Sequence, residues 1–231
     1  MKGLNANQLK IIAVIAMTID HLGWWLLSDI TLLGQLAHTF GRITAPVMCF
    51  FVAEGFIHTS NVKKYLLRMF AFAAVSHFPF VLSSGARWYA SSVILTLALG
   101  LLALYVLTNE RIPAPARPLL AALCAVAAYH ADWSFIGVLW IIAFYYTRGS
   151  RLLQLASMCI IGLALYSVPY YIDLGANRWY FFGILLAVIP LYLYNGERGR
   201  KNKLSKWGFY VYYPLHLAIG AVGKYLINGG F

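Results

Sequence analysis

Three ionisable residues lie inside the first apolar run of the chain, which extends from about Leu9 to Leu27. They are Lys10 near its start and the adjacent pair Asp20 and His21. An ionisable side chain is costly in hydrocarbon, so three of them in one helix-length segment indicate function. Because an imidazole titrates near neutral pH and a carboxylate can orient it, these residue types predict proton transfer inside a membrane.

The spacing of these residues assigns each of them a place on a helix. Lys10 and His21 are eleven positions apart, so they return to nearly the same face, roughly 16 Å apart along the axis. Asp20 points about 100° away from His21, because successive residues of a helix turn by that angle. Glu54, on a later segment, is therefore an alternative carboxylate for orienting His21, and the sequence leaves both open.

A second group of polar residues lies in the segment 41–61, GRITAPVMCFFVAEGFIHTSN. Arg42 begins its apolar run, and Glu54 and His58 lie near the other end. Glu54 and His58 are four apart, so they share a helix face and can pair or hold a substrate amine. Pro46 loosens the helix near Arg42 and frees backbone carbonyls that need partners in lipid.

A third group lies in the last apolar run, in FYVYYPLHLAIG over 209–220. His216 follows Pro214 by two residues, and Tyr213 is one of three tyrosines before it. The combination marks a candidate acceptor site, to which we assign His58, Tyr213 and His216.

The composition places these residues in a membrane protein. Hydrophobic residues make up 61% of the 231 positions, charged residues make up 11%, and the mean hydropathy is +0.72. Soluble domains have about 45–50% apolar and about 25% charged residues. No small-residue cleavage site follows the first run, so we expect it to be a retained helix. We predict an all-α, polytopic integral membrane helical bundle that forms a single domain over 1–231.

Hydropathy and charge together predict the number and direction of the spans. The apolar segments are 9–27, 42–58, 64–83, 90–108, 117–131, 133–147, 152–171, 179–195 and 207–227, which gives about nine transmembrane helices with a range of 8–10. The weakest division is at HADW around Asp132, and 30–40 can form a further short helix. With nine spans, one side of the membrane holds fourteen of the eighteen Lys and Arg residues, from Lys2 to Lys206. This asymmetry predicts a cytoplasmic N-terminus.

The net charge of +11 does not indicate a nucleic-acid partner, because the basic residues are scattered between apolar runs and form no patch. The three cysteines, Cys49, Cys124 and Cys159, lie inside apolar runs without the spacing of metal ligands, so no metal site is predicted.

The order of several long motifs resembles the TraX family. These motifs are LKIIAVIAMTIDH, GRITAPVMCFFVAEGFIHTSNVKKYLLR, SHFPF, TLALG, LYNGERG and FYVYYPLHL, which cover nearly the whole chain. The named member of that family acetylates the N-terminus of conjugative pilin. More distantly, Lys10 followed eleven positions later by His21 resembles the membrane acyltransferases that O-acetylate surface polysaccharides, in which the histidine is catalytic and acyl-CoA is the donor.

The resemblance implies an acetyl-CoA-dependent acetyltransferase of the bacterial cytoplasmic (inner) membrane. His21 would be the base, with Asp20 or Glu54 as its carboxylate. Coenzyme A carries phosphates and is made in the cytoplasm, so we assign its binding to Lys10, Lys63, Lys64 and Arg68. Arg42, which we expect at the outer end of its span, would polarise the thioester carbonyl or hold an acidic feature of the acceptor. Membrane lipids and a pilin-like protein are the expected partners.

Two positions depart from the family pattern, and we assign no role to them. His77 replaces an acidic residue of the SEIPF-like motif, and Ser91 or Ser92 replaces an Asn before TLALG. Two alternatives stay open: O-acetylation of an envelope polysaccharide or glycolipid, and secondary transport, which also places charges within spans.

Overall fold

The computed structural model describes residues 3–175, 177–200 and 203–228, so Lys2 and Lys201 of the charge pattern lie outside the described residues. This part of the chain is helical and contains no strand beyond two isolated bridges. The α-helices are α1 (Ala6–Leu26), α2 (Leu32–Gly41), α3 (Thr44–His58), α4 (Val62–Ser84), α5 (Val93–Thr108), α6 (Ala116–Ala127), α7 (Ser134–Tyr146), α8 (Arg151–Gly162), α9 (Val168–Leu174), α10 (Val188–Tyr192) and α11 (Lys203–Asn228). A π-helical turn, Leu163–Ser167, joins α8 to α9, and a 3₁₀ helix, Trp179–Ala187, leads into α10.

Local capping sets several helix ends. The side chain of Asn5 accepts from the backbone N–H of Gln8, whose side chain accepts from the N–H of Asn5, so a capping box starts α1. The side chain of Asn61 caps the start of α4 by accepting a hydrogen bond from the backbone N–H of Lys64. Gly85 ends α4 in the left-handed region at φ 68°, a conformation that favours glycine.

Four described segments are long and apolar enough to cross a membrane, which is typical of a membrane protein. They are Ala6–Leu26, Leu32–His58, Val62–Ser84 and Arg151–Leu174. Shorter apolar helices occupy Val93–Thr108, Ala116–Ala127, Ser134–Tyr146 and Trp179–Tyr192. The all-helical prediction is confirmed, whereas the count of nine spans, the cytoplasmic N-terminus and the single domain stay predictions.

The helix ends gather at two opposite ends of the bundle. At one end the start of the chain meets the segment after α10, where the N–H of Leu4 donates to the carbonyl of Leu193. At the other end Ser91, before α5, pairs with Ala131, between α6 and α7. We call the first the inner end and the second the outer end, following the orientation that the basic residues predict.

The centre of the bundle is occupied by α3, in which every residue from Ala45 to Ala53 is buried. It packs against α1, α5 and α7, and α5 in turn contacts α4, α6 and α7. A helix that is apolar around its whole circumference belongs in such a position.

The predicted position of Arg42 at the outer end of its span is wrong. The stretch 30–40 contributes α2, which continues through a short turn at Arg42 and Ile43 into α3 as one apolar segment. Pro46 falls in the first turn of α3, where its missing N–H costs no hydrogen bond. Arg42 therefore lies in the middle of a span, where it is buried and cannot act as an interfacial anchor.

Candidate functional site

A cavity of about 950 Å³ occupies the outer half of the bundle. Its lining extends from Met17 and Met48, deep in α1 and α3, to Leu174 and Lys224 at the outer end. This volume is in the range of small-molecule sites in proteins. The ionisable groups on its wall include Asp20, His21, Arg42, Asp132 and Asp173.

His21 contacts another histidine. Its Nδ1 atom lies 2.6 Å from Nε2 of His216 on α11, and the two rings stack with centroids 4.9 Å apart. Neither Asp20 nor Glu54 hydrogen-bonds to His21 in the described structure. The group that orients His21 is therefore His216, which we had assigned to acceptor binding.

A second hydrogen bond one turn away fixes α11 against α1. The hydroxyl of Thr18 donates to the carbonyl of Val14 over 2.8 Å and lies 2.7 Å from the hydroxyl of Tyr212. Because Thr18 has already used its proton, Tyr212 is the donor between the two hydroxyls. The ring of Tyr212 in turn stacks on that of His216 at 5.1 Å.

The hydrogen-bond partners assign the protons of both imidazoles. Nδ1 of His216 lies 3.0 Å from the carbonyl of Tyr212, which can only accept, so this nitrogen carries a proton. Nε2 of His216 then accepts, and His21 donates from its own Nδ1. The remaining nitrogen of His21, Nε2, is left with a free lone pair, and His21 lines the cavity. This tautomer makes His21 a base.

Asp20 belongs to a different set of buried partners. It accepts from Nδ1 of His38 over 2.8 Å, and its other oxygen is 3.8 Å from Nη1 of Arg42. His38 is fully buried, and its ring lies against those of Trp24 and Tyr180 at 4.2 and 5.2 Å. Asp20 therefore holds Arg42 in place and balances its charge.

Arg42 is enclosed by aromatic rings. Its guanidinium carbon is 5.5 Å from the ring of Trp133, 5.9 Å from that of Tyr166 and 5.2 Å from that of Tyr180. Its Nε–H has no hydrogen-bond partner in the described part of the chain. A buried cation with an unused donor on a cavity wall is suited to bind an anion or a polarised carbonyl.

The three rings around Arg42 come from three departures from α-helical backbone. Trp133 has a left-handed φ of 66°, Tyr166 lies in the π-helical turn, and Tyr180 lies in the 3₁₀ helix. Irregular backbone of this kind is concentrated at functional sites.

Glycines let the helices around Asp20 approach closely. A Cβ on Gly41 would collide with the side chain of Asp20, and one on Gly183 would collide with the backbone of Thr39. Close backbone approach at small residues is the usual way that membrane helices associate.

Of the other predicted site residues, Tyr213 is buried and lines the cavity, whereas the rest lie away from it. Glu54 pairs with His58 at 3.6 Å at the inner end of α3, where the His58 side chain is 74% exposed. Among the residues assigned to the donor, Lys10 lies over the ring of Phe51 at 5.0 Å, and Arg68 lies over Tyr65 and Tyr210. Lys63 and Lys64 are exposed at the start of α4. Within the described residues, Arg42 is the one predicted donor contact that lines the cavity.

Comparisons with known proteins identify the family of the chain. A family model described as TraX protein matches residues 5–222. The chain belongs to the TraX family. No solved structure matches it.

Two curated relatives of this TraX protein differ greatly in coverage. It is similar to the "Probable fimbrial assembly protein FimC, serogroup H1" of Dichelobacter nodosus, with 32% identity over 97% of each chain. It is also similar to an uncharacterized protein of Rickettsia prowazekii (strain Madrid E), with 46% identity over 22% of this chain and 18% of that one. The name of the first relative connects a protein similar to this chain over its full length with fimbriae.

The sequence alone missed several residues of the TraX site. His38 lies in the stretch 30–40, which carried no clear span signal, and Asp132 was noted only as a divider between two runs. Tyr166 and Tyr180 look like ordinary aromatic residues of apolar segments. Ser91, at a departure from the family pattern, contributes its backbone to the pairing with 130–132, so its side chain is not needed there.

Proposed function

We propose that this TraX-family protein is a membrane-embedded acetyltransferase, which moves an acetyl group from acetyl-CoA to the N-terminal amine of a pilin-like protein at the bacterial cytoplasmic membrane. The observation that carries the proposal is the free Nε2 of His21, on the wall of a cavity that also holds Arg42. Acyl transfer requires a base and a group that stabilises a developing oxyanion, and these two residues supply them.

The proposed reaction is a single displacement. The neutral amine attacks the thioester carbon, a C–N bond forms, and the carbonyl oxygen becomes an oxyanion. His21 takes the proton that the attacking nitrogen loses and transfers it to sulfur as the C–S bond breaks. The products are the acetylated amine and the free coenzyme A thiol. Of the two protons of the starting neutral amine, one stays on the amide nitrogen and the other is on the thiol sulfur.

Arg42 is the proposed partner of the oxyanion. Its unused Nε–H and its Nη groups lie in a buried setting, where a charge-assisted hydrogen bond is strong. Asp20 stays 3.8 Å from Nη1, so the cation is balanced without a short, saturating ion pair. The guanidinium can therefore bind a charge that appears only during the reaction.

The residues at the inner end suit the nucleotide part of acetyl-CoA. Lys63 and Lys64 are exposed there at the start of α4. Lys10 lies in the first part of α1, roughly 16 Å from His21 by the helix rise. That length is of the order of a pantetheine arm. In this proposal the phosphates stay with the inner cations, and the thioester reaches the cavity between helices.

A pilin-like acceptor is supported by two relationships. The family to which the chain belongs is associated with pilin acetylation, and the full-length relative bears a fimbrial assembly name. The acceptor would enter the cavity from the outer end.

The test is acetyl transfer by the purified full-length protein in detergent. Labelled acetyl-CoA is supplied with a peptide that has a free N-terminus, the same peptide with a blocked N-terminus, or an envelope glycan. We expect label on the free peptide alone, and loss of transfer by roughly 10²–10⁴-fold in His21→Ala. His58→Ala is the matched control, because His58 is exposed at the inner end, and it should keep its activity.

Other results would overturn the proposal in distinct ways. Equal transfer by wild type and His21→Ala would exclude His21 as the base. Label on the glycan in place of the peptide would indicate an O-acetyltransferase. If acetyl-CoA neither raised the thermal midpoint of the wild type nor donated its acetyl group, transport would become the better explanation.

A further inference from the structure

The turn between α6 and α7 holds two consecutive residues in a strained conformation. Trp133 and Ser134 have φ values of 66° and 44°, in the left-handed region that side-chain-bearing residues rarely adopt. They follow Asp132 directly, and all three line the cavity. Such strain persists only where the surrounding structure enforces it.

Hydrogen bonds on both sides enforce this turn. The N–H of Asp132 donates to the carbonyl of Ser91 over 2.8 Å, and the hydroxyl of Thr96 donates to the carbonyl of Asp132 over 2.5 Å. The N–H of Ser91 donates back to the carbonyl of His130. The start of α5 thereby fixes the backbone of Asp132 in one position.

The carboxylate of Asp132 has no cationic partner within 4 Å in the described residues. The nearby cation, Arg42, pairs with Asp20 instead. The Asp132 side chain is exposed to the cavity, and desolvation by the protein around it raises the pKa of Asp132 to about 6. A carboxylate that faces the cavity without a counter-ion is available to pair with a cationic ligand.

We propose that Asp132 is the counter-ion for the ammonium group of the acceptor, and that it selects amines over hydroxyl acceptors. Tyr129 and Tyr170 line the same cavity, and aromatic faces attract an ammonium group as well. This inference rests on the proposed acetyltransferase function and assigns a recognition residue to it.

The proton balance agrees with this role. An amine that arrives as an ammonium releases one proton to the cavity water before it can attack, and His21 takes the second during the attack. Asp132 concentrates the cationic form at the site, so its loss should weaken acceptor binding and leave the transfer step intact.

The test compares two acceptors with wild type and Asp132→Asn in the full-length protein. One peptide has an N-terminal amine, and the other is the same peptide with a hydroxyl in that place. We expect Asp132→Asn to raise the KM for the amine by about 10- to 100-fold, the effect of about 1.4–2.8 kcal/mol. The KM values for the hydroxy peptide and for acetyl-CoA should stay within about two-fold.

Asp173→Asn is the matched control, because Asp173 is a second carboxylate on the cavity wall and should leave the amine KM unchanged. An unchanged amine KM in Asp132→Asn would overturn the inference, as would an equal rise for both acceptors. Failure of the wild type to transfer acetyl to either peptide would refute the proposed function instead.

A measurement on the wild type alone keeps the test independent of folding in the variant. A peptide with a trimethylated N-terminus keeps the positive charge but cannot be acetylated, so it should compete with the amine substrate. The N-acetylated peptide should compete at least ten-fold less well. Equal competition by the two peptides would contradict recognition of the charge.

Discussion

His21 donates a hydrogen bond from Nδ1 to Nε2 of His216 over 2.6 Å, and His216 donates from Nδ1 to the carbonyl of Tyr212. The chain of donors ends on a backbone oxygen, so its direction is fixed. In a serine protease triad a carboxylate orients the histidine, whereas here a neutral imidazole does so. A neutral partner avoids a further charge in a membrane helix.

His216→Phe should lower kcat by roughly 10- to 100-fold, which is less than the loss of the base itself. Phenylalanine keeps a ring to stack on Tyr212 but provides no acceptor for Nδ1 of His21, so the tautomer is no longer fixed. His216→Gln should recover part of the rate, because its amide oxygen can accept. The measurement is steady-state acetyl transfer, with the KM for acetyl-CoA expected to stay constant. Equal rates for the Phe and Gln variants would indicate a purely structural role.

Asp20 and His38 should be coupled energetically, since they form a buried hydrogen bond of 2.8 Å. His38→Phe leaves the Asp20 carboxylate without this donor, and we expect a loss of about 1–3 kcal/mol, seen as a lower thermal midpoint. Adding Asp20→Asn should cost less in His38→Phe than in the wild type. A double-mutant cycle on thermal stability measures this coupling, and strict additivity would contradict it.

The sequence was sufficient to pick out the ionisable residues of the site. Their burial in an apolar segment is energetically costly, and they stand out in the sequence for that reason. Asp20, His21, Arg42 and His216 all lie at the cavity or beside it. Helical phase also placed Lys10 and His21 correctly on one continuous helix, α1.

Pairing across helices could not be predicted in the same way. Whether His21 meets Glu54 or His216 depends on which helices pack together, and a hydropathy pattern does not specify that. The π-helical turn at Tyr166 and the 3₁₀ helix at Tyr180 have no hydropathy signal, because their apolar residues fit an ordinary helix equally well. Arg42 was placed at a span end because the break between α2 and α3 resembles a boundary.

Gly41→Ala should reduce acetyl transfer by more than ten-fold. The added methyl group would collide with Asp20, and moving that side chain would break its contacts with both His38 and Arg42. Gly223→Ala is a matched control in a helix, because nothing lies within 4 Å of the position a Cβ would take there, and it should keep its activity within about two-fold. Rates at a saturating donor concentration compare the two, and similar losses would refute the steric explanation.

Asp132→Asn should raise the thermal stability of the protein at neutral pH, although it weakens binding of the amine acceptor. Desolvation by the surrounding protein raises the pKa of Asp132 from its ordinary 3.8 to about 6, with attraction by Arg42 and repulsion by Asp20 acting in opposite directions. Between about pH 3.8 and pH 6 the native state therefore keeps a proton on Asp132 that the unfolded state has lost. The free energy of unfolding falls as the pH rises through this range. The shift corresponds to roughly 3 kcal/mol, which screening by cavity water reduces to about 1 kcal/mol.

The variant removes this cost, so its thermal midpoint should exceed that of the wild type at pH 7.5, and the difference should shrink at pH 4. Asp173→Asn, which removes another carboxylate on the same cavity wall, is the control. A midpoint for Asp132→Asn that is lower than the wild type at pH 7.5 would mean that the carboxylate stabilises the fold. In that case the strained turn would be kept for structure, and the selection of amines would need another residue.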